Sequence, residues 1–393
     1  MASKEQLKNE LYKTLEIGIG GIRYERDTFK DILTRHPEYT AKHLCMDFSK
    51  DDNSSFYIPS QLYTENNFSL AAGLNFRGQY KFVVEGDDVF VADLFGNKIL
   101  HLHFNPRADY LNKKTSDGVP MDTIASDSGN SWHGRKDIFV AYSNECSLHE
   151  KGLDCLFCNI NATKARYAEK ENIQWKNPKQ IAETVKAAYS EGYDHFTVTG
   201  GFIPERREVD YYIDVAEAIQ DELGVEDFSG TACIGAPKDL SVIEKYKEAG
   251  WSTIGLNMEV WNKDYFNAIC PGKVQECGGY EHWLEAIKYA VEVFGKGNVR
   301  SNLVGGLEPK DYLIEGLETL ASWGVVATTT TWGPNAGSKL EGHQTPVPEW
   351  HWDVQNRAVQ ILKKNGLTWD KVRKASNGHW TMHELFLIED GLI

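Results

Sequence analysis

The chain has 393 residues, of which 41% are hydrophobic, and this length predicts two or three globular domains. Its formal net charge of −15 disfavours nucleic acid and anionic membranes as partners, because both select clustered Lys and Arg. The expected partner is therefore a small-molecule substrate or a protein. No run approaches the roughly 18 apolar residues that a membrane helix needs. The polar start "MASKEQLKNELYK" is unlike a secretory signal, so a cytoplasmic protein is predicted.

Residues 1–130 are predicted to form an N-terminal α+β domain. An opening helical segment is followed by "GQYKFVVEGDDVFVADLFGNKILHLHF", whose alternation and Gly-Asp and Gly-Asn turns predict a small antiparallel sheet. The stretch 112–132 is rich in Ser, Asp and Gly and has no hydrophobic period, which predicts a linker or an active-site loop. The domain could cap the rest of the chain, pair with another subunit or bind a partner.

Strands and helices alternate through residues 131–350. Six apolar strands are predicted, beginning with "DIFVAYS" (137–143) and "HFTVTGG" (195–201). A helix is predicted between these two strands, with Asn177 as its N-cap and Pro178 at its first position. Such alternation predicts a parallel sheet covered by helices, either an open doubly wound sheet or a full or partial barrel. Residues 351–393 are predicted to be a C-terminal helical extension.

Glycines and polar residues stand at the carboxyl ends of the predicted strands, where parallel sheets bind ligands. Paired glycines allow a ligand close to the backbone. An amide and a carboxylate two positions apart share one face of a strand and can hold vicinal hydroxyls, such as those of a ribose. Ordinary turns or helix caps explain the same residues equally well. The positions are Thr199, Gly200 and Gly201 after the second strand, Asn257 and Glu259 on the fourth, and Gly305 and Glu308 after the fifth.

Three of the seven cysteines lie together in "NECSLHEKGLDCLFCN" (144–159), at Cys146, Cys155 and Cys158. An odd number of cysteines in a reducing compartment makes a disulfide framework improbable. Of the four remaining cysteines, Cys45, Cys233 and Cys270 are interpreted as small buried hydrophobic residues.

The three clustered thiols could serve zinc or an iron–sulfur cluster. Structural zinc takes four protein ligands, and His149 could be the fourth, but no second C-x-x-C or H-x-x-H lies nearby. Cys270 and Cys277 belong to a different strand-end loop. A [4Fe–4S] cluster normally takes four thiolates, so three leave one iron open, as in catalytic metal sites. The pattern therefore favours a catalytic cluster.

Three cysteines after the first strand of a (βα)6 partial barrel resemble the radical S-adenosylmethionine (SAM) superfamily, over roughly residues 136–345. The usual spacing there is C-x3-C-x2-C. This chain has C-x8-C-x2-C, as in atypical subgroups, with Phe157 before the last cysteine. The resemblance implies an α/β fold, a (βα)6 partial TIM barrel with an added N-terminal α+β domain. It also implies that Cys146, Cys155 and Cys158 bind a [4Fe–4S] cluster.

The strand ends extend the resemblance. "TGG" at 199–201 is similar to the motif that holds the amino group of SAM, although Phe202 stands where an acidic residue is usual. The Asn257-x-Glu259 pair resembles the one that holds the ribose. "NLVGGLE" (302–308) resembles a motif near the adenine, and "GPNAGS" (333–338) resembles the turn after strand six.

The implied activity is reductive cleavage of SAM to a 5′-deoxyadenosyl radical, which takes a hydrogen atom from a small-molecule substrate. A one-electron donor such as flavodoxin or ferredoxin is implied. The absence of a second C-x2-C framework after residue 300 and of a cobalamin-type domain favours a one-cluster enzyme. Size, N-terminal domain and cysteine spacing are similar to queuine lyases, which act on a 7-deazaguanine base. Alternatives are a lyase or synthase for another small metabolite and a non-catalytic, zinc-stabilised α/β binding protein.

A guanine-like ring would need a buried carboxylate to accept its N–H groups. The sequence offers Glu259, Glu308 and Asp264 for that role and does not rank them.

Overall fold

A computed structural model of the chain contains two β-sheets, the larger of which is covered by helices. The structure describes residues 2–25, 27–39, 59, 62–71, 73, 75–106, 108–127, 136–143, 146–160, 175–334, 337–376 and 381–393. Among the helices of these ranges, none is both long and apolar enough to cross a membrane.

The N-terminal sheet has the strand order β1-β3-β4-β5-β2. Strands β3, β4 and β5 pair antiparallel, which confirms the predicted small antiparallel sheet. Phe29 and Phe82 stack edge to face in its own hydrophobic core. The elements are α1 (Lys4–Gly20), β1 (Ile22–Arg23), α2 (Lys30–Arg35), β2 (Leu62–Thr64), β3 (Tyr80–Glu85), β4 (Asp88–Asp93) and β5 (Lys98–Phe104).

The stretch 112–132 differs from the predicted linker in its described part. It contains a 3₁₀ turn at Met121–Thr123 and the strand β6 (Ser126–Asp127), which pairs antiparallel with the first barrel strand. The Ser116 hydroxyl also donates a 2.6 Å hydrogen bond to Glu183 on a barrel helix. The larger sheet therefore begins before residue 131, while 128–132 lie outside the described residues.

The larger sheet has the strand order β12-β11-β10-β9-β8-β7-β6. All neighbours from β7 to β12 are parallel, and β6 is the antiparallel edge. The order rules out the doubly wound alternative, in which the strand order reverses. The parallel strands are β7 (Asp137–Ala141), β8 (His195–Thr199), β9 (Gly230–Cys233), β10 (Thr253–Gly255), β11 (Val299–Gly305) and β12 (Val326–Thr331).

Right-handed crossovers between successive neighbours place the connecting helices on one face, and the sheet curls into a half-barrel. Asn177 and Gln180 form the capping box of α4, as the N-cap prediction required. Gly224 ends α5 in the left-handed conformation, with φ 68°. The helices are α3 (Ser147–Glu150), α4 (Pro178–Tyr189), α5 (Glu205–Leu223), α6 (Val242–Glu248), α7 (Lys263–Ile269), α8 (Pro271–Glu276), α9 (Gly279–Phe294) and α10 (Lys310–Ser322).

The inner face of the half-barrel is more polar than the continuous apolar strands suggested. Thr231 and Thr253 share a 2.6 Å hydroxyl hydrogen bond, and His195 Nε2 lies 2.8 Å from the Thr231 hydroxyl. The outward-facing Phe196 and Val198 are fully buried in the helix layer. His195, Thr231 and Thr253 thus find partners on neighbouring strands, which offsets the cost of their burial.

The last described residues are helical. They form α11 (Pro348–Lys364), α12 (Trp369–Ala375) and α13 (Thr381–Asp390). Helix α1 packs on α11 and α13, and the Lys4 ammonium lies 2.6 Å from the Glu389 carboxylate. The two ends of the chain are therefore in contact.

Candidate active site

A cavity opens at the carboxyl ends of the barrel strands and holds about 790 Å³ of space between protein atoms. All three clustered cysteines line it. So do five of the seven strand-end residues singled out from sequence, namely Thr199, Gly200, Gly201, Asn257 and Glu259.

Two distant loops hold the cysteine loop, residues 146–158. The Leu156 amide donates to the Ile269 carbonyl at 2.9 Å, and the Leu340 amide donates to the Leu156 carbonyl at 3.1 Å. The Lys339 ammonium adds a 3.2 Å bond to the Gly152 carbonyl. Segments that follow β10 and β12 therefore fix the backbone that carries the thiols.

The pKa values of the three loop thiols are shifted in different directions. Burial raises the pKa of Cys146 and raises that of Cys158 to about 12. A hydrogen bond donated by the Cys270 thiol lowers the pKa of Cys155. Because thiolates are the metal-binding form, metal loading of such a site releases protons.

Close packing against Tyr142 explains why residue 200 is a glycine. A Cβ there would lie 2.4 Å from Cζ and 2.5 Å from Cε1 of Tyr142, whose ring is buried against β8. The Tyr142 hydroxyl donates to the Gly201 carbonyl at 2.9 Å. Gly200 is thus required by its neighbour whether or not a ligand approaches.

Asn257 and Glu259 line the cavity, but they lie beyond the end of the strand and not on one of its faces. Strand β10 ends at Gly255, and Glu259 has φ 69°, a left-handed backbone that non-glycine residues rarely adopt. The Asn302 amide donates to Asn257 Oδ1 at 3.2 Å, and the Glu259 amide donates to the Asn302 carbonyl at 2.9 Å. The pairing of this bent segment with β11 turns both residues toward the cavity.

Sequence reasoning missed Lys273, a lysine in the cavity wall. Its ammonium donates to the Asn257 carbonyl at 2.6 Å and to Glu259 Oε1 at 3.3 Å. Burial works to lower the pKa of Lys273, but the Glu259 carboxylate and nearby thiols outweigh it and the pKa is raised. The lysine is therefore charged. In "CPGK", the Pro-Gly pair directly before the lysine was the available signal of a tight approach.

Glu208 was also missed. It lies in the first turn of helix α5, in "ERREVD", a sequence typical of an exposed helix start, yet it is 6% exposed and lines the cavity. Its Oε2 accepts the Gly235 amide at 3.2 Å. Phe202 lies on the same wall.

Gly305 and Glu308 are not among the residues that line the cavity. Glu308 accepts the amides of Trp261 and Asn262 at 2.7 and 2.8 Å, and burial raises its pKa to about 7. A Cβ on Gly305 would lie 3.0 Å from the Thr329 hydroxyl. Both residues support the chain behind Glu259. Asp264 is exposed on α7.

Residues 143–320 match the Radical SAM superfamily. This chain carries a radical SAM domain. The superfamily uses a [4Fe–4S] cluster and SAM, the two cofactors expected from the sequence, together with a small-molecule substrate and an external electron donor.

The chain is 28% identical over 296 residues to the bacteriochlorophyllide c C-7(1)-hydroxylase of Chlorobaculum limnaeum, and the match covers 72% of each chain. Among solved structures it is similar to methylornithine synthase (PylB), with 17% identity, TM-score 0.46 and 58% of this chain covered. It is also similar to the FeFe-hydrogenase maturase HydG of Carboxydothermus hydrogenoformans, with 16% identity, TM-score 0.44 and 61% of this chain covered. The chain spans 62% and 56% of those two proteins.

The residues of the radical SAM domain fit a sulfur-bound cluster. Five thiols face the cavity: the three loop cysteines with Cys233 and Cys277. Cys270 and Cys277, distant in sequence, thus join the loop in space, and Cys270 contacts Cys155. Cys233 and Cys270 are buried, as predicted, and Cys45 lies outside the described residues.

The fourth zinc ligand considered from sequence does not reach the cavity. His149 Nδ1 lies 2.7 Å from Asp154 Oδ1, and the histidine side chain is 56% exposed. Within the described ranges, no three His, Cys, Asp or Glu side chains are grouped around a position for a single ion.

Proposed function

We propose that Cys146, Cys155 and Cys158 hold the [4Fe–4S] cluster and that SAM lies against 199–201 and the Asn257–Glu259 pair. The observation that carries this proposal is the convergence of these residues on one cavity at the carboxyl ends of the barrel strands. When bound and reduced, the cluster supplies the electron that cleaves SAM to methionine and a 5′-deoxyadenosyl radical, which takes hydrogen from a substrate.

The chain's own residues bind and orient in this scheme. The Glu259 carboxylate accepts the ribose hydroxyls, and the Asn257 amide lies beside it. Glu208 supplies the carboxylate for the SAM ammonium, in place of the acidic residue that Phe202 displaces from the motif. Its position on the wall next to Phe202 supports that assignment. The apolar Leu148 and Ile160 exclude water from the reacting carbon.

Gly305 and Glu308 act from behind the cavity. Glu308 accepts two amides of the chain that follows Glu259, and Gly305 admits the close approach of β12. We assign both to positioning rather than to contact with SAM.

The substrate we propose is a small, ring-containing molecule. It is supported by Phe157 and Phe202, which line the cavity and offer flat surfaces to a ring. A 7-deazaguanine base has such a ring. Queuine lyase therefore remains the specific proposal, with flavodoxin or ferredoxin as electron donor in the cytoplasm. Of the carboxylates considered for the base, Glu259 is assigned to the ribose, Glu308 accepts two backbone amides and Asp264 is exposed.

A second candidate is hydroxylation of a ring substituent. It is supported by the 28% identity to a hydroxylase that the sequence match names. Both candidates begin with hydrogen abstraction and separate at the fate of the substrate.

The test uses the anaerobically reconstituted, reduced full chain with SAM and either queuine or bacteriochlorophyllide c. Faster formation of 5′-deoxyadenosine with queuine, together with the released 7-deazaguanine product, supports the lyase. Acceleration only by bacteriochlorophyllide c, with a hydroxylated product, supports the second candidate. Acceleration by neither points to another small metabolite. Stoichiometric zinc with no iron uptake would establish the non-catalytic alternative.

A further inference from the structure

A short segment, residues 269–273, connects the cysteine loop with the strand-end pair Asn257–Glu259. We call it the bridge segment. Its first residue, Ile269, accepts the Leu156 amide from the cysteine loop at 2.9 Å. Gly272 lies so close that a Cβ would be 2.5 Å from Cδ1 of Leu148. Residues 269–272 are therefore packed against the cysteine loop.

The other end of the bridge segment holds the strand-end pair. Lys273 donates to the backbone carbonyl of Asn257 and to the carboxylate of Glu259, at 2.6 and 3.3 Å. Its ammonium also lies 4.0 Å above the ring centre of Trp283. One side chain thus contacts both members of the pair.

The Glu259 backbone needs such support. Its φ of 69° is a strained conformation for a residue with a Cβ, and it persists only where the surroundings fix it. The Asn302 carbonyl accepts the Glu259 amide at 2.9 Å, and the Glu259 carbonyl accepts the Val304 amide at 2.7 Å. These bonds hold the backbone, whereas Lys273 is the cation paired with the carboxylate in the described part of the chain.

The ion pair between Lys273 and Glu259 is largely buried. The side chains of Lys273 and Glu259 are only 12% and 16% exposed, so solvent screens their attraction weakly. Removing one partner would leave the other as an uncompensated charge in the cavity wall.

We propose that Lys273 is a positioning residue that orients Asn257 and Glu259 for the nucleoside of SAM and ties them to the cysteine loop. This inference rests on the proposed function and adds a residue to it. Lys273 acts on the nucleoside through Glu259. Because the bridge segment also contacts the cysteine loop, an ordered cysteine loop helps to order the residues that bind the nucleoside.

The experiment measures the binding of SAM and of 5′-methylthioadenosine, which lacks the amino-acid end, to the anaerobically reconstituted full chain. Lys273→Met is expected to weaken both by roughly tenfold to hundredfold, because it removes hydrogen bonds to a charged group. Lys273→Arg should recover most of the loss. The matched control is Lys263→Met, an exposed lysine paired with Glu281 on the surface, which should bind both ligands like the wild type. Iron content should be equal in all four proteins.

A double-mutant cycle with Glu259→Gln tests the route of action. If Lys273 acts through Glu259, Lys273→Met costs little further affinity in the Glu259→Gln background. The double variant also keeps the test available if the single variant folds poorly, since it carries no unpaired carboxylate. Thermal unfolding of each apoprotein distinguishes lost positioning from lost stability.

Two results would overturn the inference. One is loss of SAM affinity with unchanged 5′-methylthioadenosine affinity, which would place Lys273 at the amino-acid end. The other is full additivity in the cycle. Failure of the proposed function is distinguishable, because the wild-type chain itself would then bind neither ligand.

Discussion

Replacing Gly200 by Ala tests whether packing or ligand approach explains the glycine. The new Cβ would lie 2.4 Å from Cζ of Tyr142, where ordinary contact begins at 3.4 Å, so ring and loop must separate by about 1 Å. Tyr142 cannot swing out freely, because it is 1% exposed and packs against Tyr211 and Tyr212. Overpacking of this kind costs about 1–3 kcal/mol of unfolding free energy.

The assay is thermal unfolding of the apoprotein, in which Gly200→Ala should lower Tm by roughly 2–6 °C. Gly333→Ala is the matched control at the same edge of the sheet, because no atom of the described residues lies within 4 Å of its added Cβ. In a Tyr142→Ala background the cost of Gly200→Ala should vanish. An unchanged Tm for Gly200→Ala, with weaker SAM binding only, would refute the packing account.

Three further predictions concern the bridge segment, His351 and the loop cysteines. Gly272→Ala should push the bridge segment off Leu148 and reduce the iron bound per chain after reconstitution, measured against Gly333→Ala; full iron content would contradict the packing of that segment. Burial lowers the pKa of His351 to about 4, so the unfolded chain takes up a proton near pH 6.5 before the folded chain does. Stability is therefore complete above about pH 6.5 and falls as the pH drops toward 4, by about 2 kcal/mol at pH 5. His351→Gln should remove that part of the loss, and equal Tm changes between pH 7.5 and 5 in both apoproteins would contradict it. Alanine at any one of the three loop cysteines should abolish 5′-deoxyadenosine formation, whereas Cys45→Ala should retain it; cleavage of SAM by a two-cysteine variant would remove the cluster assignment.

The sequence predicted the elements of the barrel because their signals are local. The Asn177 cap and the Gly224 stop depend on neighbours within a turn, and both are present in the structure. The cavity at the strand ends followed from topology alone, since parallel strands place their carboxyl ends together.

The missed residues depend on contacts between distant segments. Lys273 and Glu208 look like surface charges in sequence, and only the folding of 257–273 and of α5 against the barrel mouth buries them. Glu308 shows the converse. Its place in "GGLE" suggested a ligand contact, but two backbone amides occupy its carboxylate. Local patterns do not reveal which hydrogen-bond partner a carboxylate finds.

The most direct test of the account is the formation of 5′-deoxyadenosine from SAM by the reconstituted chain, reduced under anaerobic conditions. The account predicts 5′-deoxyadenosine and methionine in equal amounts from the wild-type chain. An iron–sulfur chain that binds SAM, accepts an electron and still leaves SAM intact with every candidate substrate would contradict it.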